Sequence, residues 1–451
     1  MKRSRVLAVA AATALLLGMA GCASTPGGDG KTIKVAFQDF GSDIQANFMK
    51  KAKAAFEKAN PGTTITLVPI KAAENDYYTK LSLMNRAPST APDVLSEDTF
   101  LIRADAQAGY LAPLDSYVAK WKDWSNFVDN AKDAGKGDDG KVYGIPNGTD
   151  TRGLWYNKQL FQKAGIATPW APKTWDDVIS AAEKIKAAEP GVIPLNIFSG
   201  KAAGEASSMQ GFEMLLYGAS EKGLYDDASG KWITGSPAFT DALDVIKKVY
   251  QGGLGPSPEI TSDTNYQNTI NNQLVPQGKL AINLDGSWAS NAWLPTGATP
   301  WADWSKVMGT APMPTQDGAE PGSVSLSGGW TYSMGARSKA KDLAWKFITF
   351  LTNKQNSLEY NINTAGIPVR KDVADDPKYT SSNPTSEFFS KLVAVTKFRP
   401  ATPDYPKISN GIQVAMESVM TGQASPAEAA KTYDDTVVGI VGQDKTEKAG
   451  D

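Results

Sequence analysis

Apolar positions along this chain change period in a regular way. "TIKVAF" (32–37) is a short, nearly continuous apolar run, the pattern of a buried strand. Residues 43–59 follow with Ile44, Phe48, Ala52, Ala55 and Phe56 at helical spacing on one face, and "NPG" (60–62) stops them. "TTITLVPI" (63–70), "PDVLS" (92–96) and "KVYGIP" (141–146) predict further strands. A second block repeats the alternation. Residues 174–191 predict a helix capped by Thr174 and ended by Pro190-Gly191, with Val178, Ile179, Ala182 and Ile185 inward. "VIPLNIF" (192–198) and "KLAINLDG" (279–286) predict strands, and helices are expected near 237–250 and 264–274. Residues 339–361 predict one long helix with Leu343, Phe347, Phe350 and Leu351 inward. The last hundred or so residues are mostly helical, broken by "FRPATPDYP" (398–406). Strand and helix in turn predict βαβ units, a parallel sheet and an α/β fold. No internal repeat is present.

The first residues have another pattern. "KRSR" (2–5) is basic, residues 6–20 are uncharged and apolar, and the small residues Ala20 and Gly21 precede Cys22. This is the layout of a secretory signal peptide, too short for a stable membrane span. Cys22 is the single cysteine of 451 residues, so no internal disulfide can form. "ASTPGGDG" (23–30) predicts a flexible tether. Cleavage before Cys22 removes 21 of the 451 residues, leaves 430, and takes the formal net charge from −2 to −5 with the loss of Lys2, Arg3 and Arg5. A mildly acidic chain offers no electrostatic footprint for nucleic acid. The length suggests two or more domains.

The chain has no histidine. Ser-His-Asp and Cys-His catalysis, His-ligated zinc and histidine pH switches are therefore excluded. No calcium loop or phosphate-cradling glycine motif is present, so neither metal nor cofactor is expected. Twelve Trp and 15 Tyr supply aromatic surface for recognition as well as core.

Several stretches, taken in order, carry a resemblance. They are "GMAGC" (18–22), "VYGIPNGTDTRGLWYNKQLFQKAGI" (142–166), "PKTWDDVISAAEKIK" (172–186), "GKLAINLDGSWA" (278–289), "SGGWTYSMGARSKAKDLAWKFITFLTNKQNSLEY" (327–360), "AGIPVRKDV" (365–373) and "PDYPKISNGIQVAMESVMTGQASPAEA" (403–429). The first resembles a lipobox, which implies that Cys22 is acylated and becomes the N-terminus. Together they resemble the family 1 extracellular solute-binding proteins, the sugar-binding lipoproteins of bacterial ABC importers, with the maltose-binding protein as a relative. The resemblance implies a two-lobe, periplasmic-binding-protein-like α/β fold of type II, whose hinge the chain crosses three times. Crossings are expected near 146–149, 309–313 and 365–368. The expected division is signal peptide 1–21, lipidated Cys22 and tether 22–30, N-terminal lobe 31–146 with 312–366, and C-terminal lobe 147–311 with 367–451. A small carbohydrate and the permease subunits of an importer are the implied partners, the protein a monomer held at the membrane by its lipid.

A sugar presents C–H faces that pack on aromatic rings and hydroxyls that need charged or amide partners. Trp288 in "DGSWA" matches a position where the family presents a stacking aromatic. Trp330 follows two glycines that let backbone approach a ligand. Asp39, and either Glu97 or Asp98, follow strands at the end where α/β folds bind ligands. Glu97 departs from family members that carry an aromatic there, which implies a more polar subsite. Asp150 matches a carboxylate of the maltose-binding relative, and Arg152 stands near enough in sequence to orient it or meet ligand. Arg399 and Tyr405 belong to a late loop that faces the cleft in relatives, and Glu205 is a weaker candidate. Trp121, Trp124, Trp301 and Trp304 are expected to pack rather than bind. The rival functions are a secreted glycosidase, which also needs paired carboxylates, and a binder for a glycerol phosphate ester, polyamine or peptide. A phosphate would require clustered cations, and the candidate set is aromatic and acidic.

Overall fold

The computed structural model of the chain describes residues 30–39, 43–72, 74–219 and 222–450. The signal peptide, Cys22 and residues 23–29 of the expected tether lie outside them. Two main sheets carry the fold. The first has the order β2-β1-β3-β13-β4, with β1 Thr32–Asp39, β2 Thr64–Lys71, β3 Val94–Asp98, β4 Gly144–Thr149 and β13 Gly329–Met334. The second has the order β10-β5-β9-β6, with β5 Arg152–Asn157, β6 Ile193–Ile197, β9 Leu280–Gly286 and β10 Met308–Ala311. Two small sheets flank the second. One is β11 Met313–Pro314, β12 Ser323–Ser327 and β14 Thr396–Phe398, and the other is β7 Tyr225–Asp226, β8 Lys231–Thr234 and β15 Thr446–Lys448.

The βαβ pattern places β1 parallel to β2 and β3, and β6 parallel to β9. The sheets are nevertheless mixed. β13 runs antiparallel to both β3 and β4, and β5 runs antiparallel to β9 and β10. The purely parallel expectation fails because β13 arrives from a distant segment and inserts between strands that are close in sequence.

Each sheet is covered by helices whose apolar stripe faces it. In the helix Ile44–Ala59, Ile44, Phe48, Ala52 and Phe56 are buried, while Ala55 is exposed and Met49 is buried. Phe56 meets Phe347 edge-on at 5.1 Å, which ties this helix to Lys341–Leu351. Such fully buried side chains stabilise by roughly 1.5–3 kcal/mol each. The expected helix 339–361 is two helices, Lys341–Leu351 and Lys354–Thr364. The Asn353 side chain accepts from the Asn356 N–H at 2.9 Å and starts a new helix where periodicity alone reads through. The helix Trp175–Ala188 begins in a capping box: Thr174 Oγ1 accepts the Asp177 N–H and Asp177 accepts the Thr174 N–H.

Among the described residues four apolar clusters result, two of them large. Ile33, Val35, Phe56 and Phe347 belong to one, and Val178, Ile185, Leu195 and Leu284 to the other. The chain leaves the first sheet after Thr149 and enters the second at Arg152, a little later than 146–149. It returns at Gly328, between β12 and β13, not at 309–313. Those residues are β10 and β11, and Val324 and Leu326 of β12 sit in the second core, so 312–327 packs with the C-terminal part. Gly309 has a packing role there: a Cβ would come within 2.5 Å of the Tyr156 ring. At the actual return Gly329 has φ +145°, and a Cβ would meet the Gly148 carbonyl oxygen at 2.5 Å. In the third expected crossing, 365–368, Ile367 pairs with Thr149.

Two wide helical turns with i→i+5 bonding, Ala206–Glu213 and Ile270–Leu274, stand beside the space between the sheets. Turns of this kind recur at functional sites because they re-aim side chains. The first packs so closely on Phe198 that a Cβ on Gly211 would lie 2.1 Å from the Phe198 carbonyl oxygen.

Candidate ligand cleft

The carboxyl ends of β1, β3 and β4 and the start of β13 face the turn after β9 across a cleft of about 730 Å³. The two wide turns and Arg399 complete its wall. The volume suits a ligand larger than one small ring. Asp39, Asp98, Asp150, Arg152, Trp288, Trp330 and Arg399 line it, as does Glu205. Glu97 and Tyr405 do not.

Strand alternation decides between Glu97 and Asp98. Asp98 meets the cleft, and Glu97 points the other way, fully buried, with neither carboxylate oxygen hydrogen-bonded. Burial first, then the Asp105 charge, pushes the Glu97 carboxyl well above the usual range. Glu97, expected to make a subsite more polar, therefore does not reach the cleft, and Asp98 does. Tyr405 stands one layer behind the wall. Its hydroxyl donates to Glu213 Oε1 at 2.5 Å and to Glu205 Oε2 at 3.4 Å, and its ring packs edge-on against Phe100.

Arg399 joins the two sides of the cleft. Nη2 donates to Asp98 Oδ1 at 2.8 Å and Nη1 to Glu205 Oε2 at 3.1 Å, and the guanidinium lies 4.2 Å from the centre of the Phe100 ring. Burial alone would lower its pKa; the Asp98 and Glu205 charges outweigh that and push it up. Asp98 Oδ2 accepts from the Tyr78 hydroxyl at 2.8 Å, and Ser409 donates to Glu205. Two acidic side chains thus share one guanidinium. Asp150 accepts from Arg152 and from the Gly328 N–H at 2.9 Å, which fixes both at the crossing between sheets. The Arg152 guanidinium then covers the Trp288 ring at 4.6 Å. Gly286 allows this ring to fold back, since a Cβ there would lie 2.1 Å from it. Trp330 is half-buried against Tyr77 at 5.8 Å and Tyr78 at 6.3 Å. Trp121, Trp124, Trp301 and Trp304 pack within apolar clusters.

Other lining residues were not among the sequence candidates. Glu74 lies just beyond the end of β2, and the strand-end argument used for Asp39 would have found it. Burial and the nearby Asp98 charge push its carboxyl up to about 8. Gln38, Asn147, Ser287 and Asn361 have no motif to mark them. They are 2, 4, 2 and 1% exposed. Gln38 Oε1, both polar atoms of Asn147, Ser287 Oγ and Asn361 Oδ1 lack hydrogen-bond partners, as does Arg152 Nε. Asn147 approaches the Tyr332 and Tyr360 hydroxyls without forming a bond of good geometry. More than nine in ten buried polar groups in native proteins are paired, so such a concentration in one lining is unusual. Among the described residues no group of three acidic, His or Cys side chains is placed to hold a metal ion, and no helix is long and apolar enough to cross a membrane.

Known proteins share this architecture. Residues 41–357 match the family described as bacterial extracellular solute-binding protein. The galactooligosaccharide-binding protein of Bacillus subtilis is 26% identical over 405 residues, 88% of this chain and 87% of its own. The GacH receptor of Streptomyces glaucescens, solved unliganded and with acarbose, aligns with a TM-score of 0.77 and 25% identity over 91% of this chain and 98% of its own. A solute-binding protein of an ABC transporter from Thermotoga lettingae, solved with alpha-D-tagatose, gives a TM-score of 0.78 at 24% identity over 91% and 99%. With two α/β cores, a polar cleft between them and a match over most of its length, the chain belongs to the bacterial extracellular solute-binding proteins.

Proposed function

We propose that this chain captures a sugar outside the cytoplasm and delivers it to the permease of an ABC importer. The observation that carries this reading is the cleft lining, where unpartnered buried amide and hydroxyl groups stand beside two tryptophan rings, Trp288 and Trp330. Hydroxyls satisfy such groups and sugar C–H faces suit the rings. The sugars named for the relatives agree. A phosphate ester is disfavoured, because two of the three lining cations, Arg152 and Arg399, already serve carboxylates.

The first lobe comprises β1 to β4 with β13 and the helices on them, and the second comprises the remaining sheets. Asp150–Thr151, Gly328 and the stretch after Gly366 form the hinge. Ligand contacts from both lobes favour the closed form over the open one, and closure presents a monomer to the permease. Cys22 carries the lipid that holds the protein at the membrane.

A thermal-shift screen of residues 23–451 against mono- and oligosaccharides tests the reading. A sugar at about 100 times its Kd adds roughly 2.7 kcal/mol to the unfolding free energy and raises Tm. Shifts only with phosphorylated, cationic or peptide solutes would discard the sugar, and cleavage of the bound sugar would make the protein a glycosidase. For the identified sugar, Trp288→Ala is expected to weaken binding by about 1–3 kcal/mol in calorimetry while the protein stays folded. Unchanged affinity removes Trp288 from the site. Cys22→Ser is expected to move the protein from the membrane fraction to the soluble fraction; retention at the membrane contradicts a lipid anchor on that residue.

A further inference from the structure

The cleft is chemically divided. Its charged lining residues, from Asp39 and Glu74 round to Glu205 and Arg399, lie on the first lobe, at the crossing, and on the segments around Arg399. The wall formed by residues 264–273 and 287–292 lines the cleft without one ionisable side chain. In 264–273, "TNYQNTINNQ", all seven lining residues are Asn, Gln or Thr. The other three include Tyr266 and Ile270, both fully buried in the second lobe, which pin the segment so that its amides face outward.

The wall is partly set in place. Asn271 donates to Asp285 at 2.8 Å and accepts from Asn283 at 3.3 Å, and Asn268 donates to Asn265 at 2.9 Å. The wide turn, closed by the Val275 N–H on the Ile270 carbonyl at 3.0 Å, brings three successive residues, Asn271 to Gln273, to the lining. The side chains of Asn272 and Gln273 form no hydrogen bond with the described residues. Where the wall meets Trp288, the buried Ser287 hydroxyl also lacks a partner. The eight helical residues 266–273 extend roughly 12 Å, longer than one sugar ring. Amides offer a donor and an acceptor each, which matches vicinal hydroxyls, and a charged ring laid on them would find no counter-charge.

We propose that this amide wall is a chain-length subsite. The ligand is a linear, neutral oligosaccharide of three or more rings, which extends from the Trp288 end along Asn268 and Asn272. The inference rests on the sugar-binding reading and commits it to a length and a charge.

Calorimetric titration with malto-oligosaccharides and with galacto-oligosaccharides, each from mono- to pentasaccharide, tests it on residues 23–451. In the series that binds, affinity is expected to rise roughly fivefold or more between the disaccharide and the tetrasaccharide. Asn268→Ala with Asn272→Ala is expected to abolish that rise and leave the disaccharide Kd within about twofold. Both side chains are half-exposed, and Asn272→Ala alone is a milder version should the pair disturb the fold. Equal affinity for all lengths, or equal losses at all lengths in the variant, overturns the amide wall and leaves the sugar reading intact. Tighter binding of uronic acid or amino-sugar oligomers than of neutral ones overturns the neutral ligand. No binding of any sugar in the earlier screen overturns both.

Discussion

Replacing Arg399 with methionine is expected to cost about 3–5 kcal/mol of unfolding free energy at pH 7. The side chain is 7% exposed and balances Asp98 and Glu205, which are 5% exposed each. Methionine fills much of the same space, so the loss measures charge more than volume. Two buried carboxyl groups would then face each other with Tyr78, Thr99, Ser409, Tyr405 and the Phe100 N–H as their remaining donors. Hydroxyl donors soften that repulsion without removing it. Urea unfolding at pH 7 reads the loss. A deficit under about 1 kcal/mol would mean that the two carboxyl groups do not depend on Arg399. Because Arg399 ties Asp98, at the end of β3, to Glu205, beside the first wide turn, the variant is also expected to bind the identified sugar more weakly than Trp288→Ala does.

Much of what was legible in the sequence lies at the end of a strand. Asp39 and Asp98 close β1 and β3, and Asp150 and Trp288 come just after β4 and β9, where an α/β fold opens its sheet to ligands. Glu74 obeys the same rule after β2 and needed only its application. Glu97 and Asp98 could not be separated by hydrophobic alternation, because all five residues of β3 are buried and a strand covered on both faces shows no period of two. The antiparallel β13 was hidden for a different reason. It pairs Trp330 with Asp98 and Gly148, contacts between distant segments that no local pattern records. The same distance hides Asn147 and Asn361, brought together when Asn361 Nδ2 donates to the Asn147 carbonyl at 3.2 Å. Glycine and proline at 309–313 suggested a hinge, yet Gly309 is there to admit the Tyr156 ring. A glycine signals a tight place, and only the three-dimensional neighbours say whether the tightness comes from rotation or from packing.

Glu213→Gln is expected to stabilise the protein at alkaline pH and to change little in acid. Glu213 is fully buried in the second lobe. Burial raises its carboxyl to about 8, although the hydrogen bond from Tyr405 acts in the opposite direction. The unfolded group titrates at about 4.5. A carboxyl whose folded pKa is raised contributes its full stability below pH 4.5 and loses it as pH climbs to 8. Over that window the wild-type protein gives up roughly 1.4 kcal/mol per pH unit through this one group. Glutamine has no proton to lose and keeps an oxygen for the Tyr405 hydroxyl. Its N–H stands where the protonated acid would place an O–H, at Oε2, which has no partner in either case. The two proteins should therefore match at pH 4 and differ by at least about 2 kcal/mol at pH 8 in urea unfolding. Parallel stability curves would show that Glu213 is ionised within the fold. The distinction reaches the cleft, because Tyr405 touches Glu205 as well. A neutral Glu213 leaves Arg399 shared by Asp98 and Glu205 only. An ionised Glu213 would place a further negative charge behind the Tyr405 hydroxyl, one layer from Glu205 and Arg399.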